Sequence, residues 1–241
     1  MKVRCIYNTG EALRPHEYKP LEKRMMGRFG VTGCSEYNGL KIGKEYLVMG
    51  IIIFETYQAY LIDYGFISAC PCQLFEIVDE KVNTNWHFRL IDKNEDIYPF
   101  IQAIFGYPEL CSDRKAYENL IVEMEEYAEQ IYFRHKEKEI LLEFYSRFGK
   151  SITHQDTQVA VIQYANTDDL FEILAKLQYV ISGGKIYKKT SDGNYEFITT
   201  HSDYKGNNSL ASIEEARFFL KLFEDEKDIL FISFDLVKAN S

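Results

Sequence analysis

Residues 41–91 read KIGKEYLVMGIIIFETYQAYLIDYGFISACPCQLFEIVDEKVNTNWHFRLI. Three apolar runs, 47–54, 59–62 and 73–78, alternate with short polar or Gly-containing connections. Runs of this length, rich in Ile, Val, Phe and Tyr and bounded by turn residues, read as short strands. The reading places strands at 45–54, 57–63, 66–69, 73–78 and 86–91, with Glu55-Thr56, Tyr64-Gly65 and Asp79-Glu80-Lys81 at turns. Connections this short join neighbours, so antiparallel pairing is expected. Five such strands favour a small barrel or a strongly bent sheet.

Outward on the N-terminal side, residues 2–7 add an opening strand. Residues 8–40 hold Pro15, Pro20, Gly27, Gly30, Gly33 and Gly39 and read as a long loop. Its basic patch, between Lys19 and Arg28, either meets an anion or is simply solvated. On the other side, 96–105 reads as a short helix with Pro99 in its first turn, where the missing N–H does little harm. From a cap at Ser112 or Asp113, Tyr117, Leu120, Ile121, Met124, Ala128 and Ile131 recur at helical spacing. Ile140, Leu141, Phe144 and Phe148 renew the stripe up to Gly149, giving one long helix or two in line.

The last third reads strand, helix, hairpin, helix, strand. A strand at 158–164 leads to a helix capped by Asn166 or Thr167, with Leu170, Ile173, Leu174, Leu177 and Ile181 inward. Gly183-Gly184 would stop it. Asp192-Gly193 turns a hairpin between 185–188 and 195–199. Ser212-Ile213-Glu214-Glu215 reads as a capping box before a helix with Ala216, Phe219, Leu220 and Phe223 inward. A strand at 229–237 closes the chain. The order β-α-β-β-α-β is the split βαβ, ferredoxin-like pattern. The expected class is therefore α+β. A small antiparallel β barrel or bent sheet occupies 1–106, a linking helical segment 107–150, and an α+β lobe 151–241.

The chain has 241 residues, 46% hydrophobic and 27% charged, so it can bury a core and has room for two lobes. Its 18 Tyr and 17 Phe fit aromatic-rich cores and sheets. A net charge of −9 with no long Lys/Arg cluster speaks against nucleic acid and suits a basic protein partner. The run at 47–54 is too short for a bilayer, and MKVRCIYNTG has no apolar export segment. The five scattered cysteines then read as free thiols in a reducing, cytoplasmic setting.

Four constellations invite chemistry. Cys70-Pro71-Cys72 with His87 holds zinc-ligand types, but a knuckle uses C-x2-C and a fourth ligand, so buried thiols and no metal or cofactor are expected. His154 with Asp156, and His201 with Asp203, have the spacing by which an Asp can orient a catalytic His. Both sit in polar connections, where turns and solvent usually claim them. Gly183-Gly184-Lys185 follows a helix and precedes a strand, the reverse of a phosphate loop. Acidity is the fourth. Residues 151–241 hold nine Lys/Arg and fourteen Asp/Glu, net −5, whereas 1–106 hold twelve and thirteen, net −1. Glu224, Asp225, Glu226 and Asp228 form a block that, with Asp203 and Asp235, would make a negative patch for a cationic partner.

Gly43-Lys44-Glu45-Tyr46, then Pro71 ahead of Leu74-Phe75-Glu76-Ile77-Val78-Asp79, then Trp86-His87-Phe88-Arg89 resemble a pattern in certain bacterial proteins. Those proteins have an SH3-like β domain and look like immunity proteins of polymorphic toxin systems. The resemblance spans about residues 1–145. It implies a non-enzymatic protein that binds a cognate protein toxin, for instance a cationic nuclease, with residues 151–241 as an added specificity lobe. Two other readings stand beside it: an intracellular scaffold or regulatory peptide-binding module, and a hydrolase using a His-x-Asp pair.

Overall fold

The computed structural model describes residues 1–202 and 208–239. The fold is α+β, with antiparallel sheets. It divides into two compact units, Met1–Lys136 and Glu137–Ser241.

The first unit contains β1 (Lys2–Cys5), β2 (Glu45–Leu47), β3 (Gly50–Phe54), β4 (Gln58–Asp63), β5 (Ile67–Pro71), β6 (Phe75–Asp79), β7 (His87–Leu90) and β8 (Ile101–Gly106). They form two sheets, ordered β2-β1-β6 and β5-β4-β3-β8-β7. The strand expected over 45–54 is thus two strands in two sheets. The break is at Val48 and Met49, both buried. Val48 N–H donates to Met1 O and Met49 N–H to Leu61 O, so consecutive amides serve different partners. The first sheet is also not a chain of local hairpins, since β1 lies between β2 and β6.

The helix expected over 96–105 is a turn in its first half and a strand in its second. β8 fills the place between β3 and β7, with Ile101 and Ile104 fully buried. Without it the inner edge of β3 would leave backbone groups unpaired in an apolar core, a cost that outweighs local helix propensity.

Alternation along the five-stranded sheet divides the core. Ile52, Ala59, Leu61 and Ile104 join one cluster, and Ile51, Tyr60, Ile62 and Phe105 the other. The second cluster also takes Val3, Cys5, Tyr46 and Phe75 from the smaller sheet, and Leu13, Phe29 and Leu40 from the long loop. A sheet buried on both faces reads as unbroken apolar runs, as residues 41–91 do. The loop itself is folded around Arg14. Its Nη2 donates to the carbonyls of Glu22, Lys23 and Met25 at 3.2, 3.0 and 2.6 Å.

Helices α1 (Pro108–Ser112), α2 (Ala116–Ile121) and α3 (Glu126–Phe148) follow. Tyr117, Leu120, Ala128 and Tyr132 pack into the Ile52 cluster. Tyr117, Leu120, Ile121, Ala128 and Ile131 pack inward as expected, but Met124 is 63% exposed, and the helix is broken at 122–125, where Met124 takes φ 52°.

The second unit holds β9 (Gly149–His154), β10 (Thr157–Gln163), α4 (Thr167–Lys176), β11 (Tyr179–Lys189), β12 (Tyr195–Ser202), α5 (Ser209–Leu220) and β13 (Leu230–Lys238). The sheet runs β12-β11-β13-β10-β9. From β10 onward the element order is the one read from sequence, and each crossover steps over one strand. Here β11 and β13, the second and fourth of that series, take the middle. The ferredoxin-like order would put the first and third there. β9 is an addition. Its turn uses Gln155 and Asp156, both at positive φ (49° and 62°), without the Asn-Gly or Asp-Gly that marks such hairpins in a sequence.

Two caps differ from expectation. Gly183-Gly184 lies inside β11, while α4 ends at Lys176 and Gln178 makes the left-handed exit at φ 56°. α5 begins at Ser209, where the Asn208 side chain accepts from Ala211 N–H at 2.9 Å. Ser212 is inside the helix. Its hydroxyl donates to Ser209 O and accepts from Ile181 N–H.

One sheet face packs Ile162, Ile186 and Ile232 against Leu170, Leu174, Ile213 and Ala216 of the helices. The other gathers Ile152, Val161, Tyr187 and Phe231. Laid flat, β9 and β12 would be about 19 Å apart. Yet His154 on β9 lies 5.2 Å from the Phe197 ring on β12 and 5.4 Å from Tyr187. The sheet is therefore rolled into a half-barrel whose edges approach through His154. Among the described residues no helix is long and apolar enough to cross a membrane.

Candidate partner interface

Helix α5 runs into a 3-10 helix, Lys221–Glu226, and the acidic block spans the end of that helix and the turn after it. Helical spacing sends Ile213, Ala216 and Leu220 into the core and half-buries Phe219 and Phe223. The opposite stripe is not polar. Leu210 is 66% exposed, Phe218 73% and Leu222 71%. Glu214 lies on the same stripe and is exposed.

Glu224, Asp225, Glu226 and Asp228 follow directly, and all are exposed. Glu226 is met by Lys188, with Nζ to Oε2 2.6 Å. Burial raises the pKa of Tyr164, and the nearby carboxylates of Glu224 and Asp168 raise it further, which places both near one ring. The Tyr164 hydroxyl donates to Leu220 O at 3.2 Å, tying the ring to the end of α5. Asp168, from the first turn of α4, thus adjoins the patch while pairing with Arg217 at 3.2 Å. Asp235 does not adjoin it. It lies on β13 beyond Leu230, about 17 Å along an extended strand. It sits instead near Tyr187 and His201. Asp203 lies outside the described residues.

Chemically, this surface pairs large apolar anchors with excess negative charge. Apolar anchors give an interface its energy, while surrounding carboxylates steer a cationic partner and select its orientation. The acidic block was legible in the sequence. The anchors were missed because apolar residues occur all around the segment SLASIEEARFFLKLF, so an inward stripe hides an outward one.

The other constellations are dispersed. Cys70 lies on β5 and His87 on β7, the two outer strands of one sheet. Burial pushes the Cys70 thiol up to about 12, so it remains protonated. Among the described residues no group of three or more His, Cys, Asp or Glu is placed to hold a metal ion. His154 rests on Tyr187 and Phe197, and Asp156 is spent on the β9–β10 turn. His201 is buried against Phe219 and Phe234, and burial lowers its pKa. The basic patch of the long loop borders an open cleft of about 520 Å³. Glu11 and Glu17 line it beside Arg14 and Lys19, so its charge is balanced.

Comparison with protein-family models, with curated proteins and with solved structures finds no match.

Proposed function

We propose that this chain is a non-enzymatic binding protein of the immunity type, which neutralises a cognate protein toxin by covering a basic functional surface. The observation that supports the reading is the exposure of Phe218 and Leu222 directly beside Glu224, Asp225 and Asp228. A net charge of −5 over residues 151–241 adds long-range attraction for a cationic partner. In this reading the N-terminal unit is an SH3-like platform, and the split βαβ lobe is the specificity element, a variant of the ferredoxin-like theme.

The test is co-expression with the toxic domain encoded beside the gene, followed by binding measurements on the purified pair. Protection of the cells is expected, together with affinity that falls steeply between about 50 and 500 mM salt. Phe218→Ala with Leu222→Ala should weaken binding by tenfold or more, chiefly through faster dissociation. Glu224→Lys with Asp225→Lys should mainly slow association. Unprotected cells and no complex in low salt would end the proposal.

A further inference from the structure

The five-stranded sheet of the first unit ends at β7. We propose that this edge pairs antiparallel with β7 of a second copy, giving a two-fold dimer with one continuous sheet.

The backbone register carries the argument. Ile91 N–H donates to Gln102 O at 2.9 Å, and β7 pairs Arg89 with Ile104 and His87 with Gly106. In an antiparallel ladder alternate residues bond to the neighbouring strand, so 87, 89 and 91 face β8. Phe88 and Leu90 therefore turn their N–H and C=O groups away from the sheet. Their side chains share one face and are 58% and 73% exposed.

Natural proteins suppress such edges. The other edges of the described sheets carry the usual devices. β5 ends in Pro71 and β2 has three residues. On β6, the Glu76 side chain stays 48% exposed at the edge, beside Arg4. β12 has a bulge at Ile198, where the register shifts, and β9 carries Lys150. On β7 the charge that would serve is turned away. Arg89 pairs with Glu95 and donates to Asp113 O, and its side chain is largely buried.

A second copy fits this edge because the edge is self-complementary. With the two-fold axis at Arg89, Phe88 meets the second copy's Leu90 and Leu90 meets its Phe88. Both outward-facing positions are then bonded in each copy, and the exposed apolar side chains cover one another on one face. The facing arginines are already neutralised, each by its own Glu95. An edge this short buries little area, so association is reversible, at micromolar rather than nanomolar strength. The proposal concerns the first unit and stands apart from the partner surface on α5.

Light scattering after gel filtration tests it, over about 1–100 µM protein. The mass is expected to rise from 28.3 kDa toward twice that value. Phe88→Glu and Leu90→Lys replace exposed side chains, so unchanged circular dichroism is expected with association weakened about tenfold or more. Hydrogen exchange gives a second readout: the Phe88 and Leu90 amides should slow with concentration in the parent and not in either variant. A monomer throughout the range, a dimer that neither variant weakens, or growth past the dimer would each overturn the proposal.

Discussion

A methyl group on Gly184 would lie 2.0 Å from the Ser233 carbonyl oxygen and 2.4 Å from His201 Nε2. Backbone and a buried ring cannot both retreat from it. Gly184→Ala should therefore destabilise the protein by about 1–3 kcal/mol, read from urea unfolding. The neighbouring His201 makes stability depend on pH. Burial lowers its folded-state pKa, opposed by its bond to the Ser233 carbonyl and the nearness of Asp235. The unfolded chain takes up the proton near pH 6.5, and the folded chain only at lower pH. Stability from this residue is thus fully present above about pH 6.5 and is lost as pH falls toward the folded-state value. Unfolding free energy should drop as pH falls below about 6.5, and His201→Gln should flatten that slope. An unchanged slope would show that other groups set it.

At the scale of elements, caps were the least legible feature, and they make sharp predictions. Gln178 leaves α4 in the left-handed region with an exposed side chain, so Gln178→Gly should stabilise by about 0.5–1 kcal/mol. Asn208→Ala should cost about 1 kcal/mol, as a lost N-cap does. Ser212→Ala should cost about 1–3 kcal/mol for a different reason, because the buried Ile181 N–H would lose its acceptor. Thermal melts of the three variants decide between these roles and the capping box suggested by Ser212-Ile213-Glu214-Glu215. What the sequence made readable follows from period and chemistry. The strands around 41–91, the Asp192-Gly193 turn and the closing strand all carry strong local signals. β8 and β9 do not. Ile101 to Gly106 becomes a strand because β3 and β7 need a partner between them, and the β9 turn has no glycine. Likewise Phe218 and Leu222 fall off the inward stripe of Ala216, Phe219, Leu220 and Phe223, but only the structure shows how fully they are exposed.

Over the whole molecule, each unit has its own apolar clusters, with Ile104 in one and Ile232 in the other. Calorimetry should resolve two transitions rather than one, since all-or-none unfolding belongs to single cores. Ile104→Ala and Ile232→Ala should each lose about 2–5 kcal/mol and each shift a different transition. A single peak moved by both would show one cooperative block. The charge imbalance acts at the same scale. The acidity gathered in the second half leaves residues 1–106 nearly neutral.

The place of β1 has a consequence for synthesis. It is made before either of its partners, yet it sits in the middle of its sheet. Its first partner, Glu45–Leu47, comes much later, and Phe75–Asp79 later still. Until residue 79 has emerged, Val3 and Cys5 have only half of their shelter, and β1 must wait with apolar side chains uncovered.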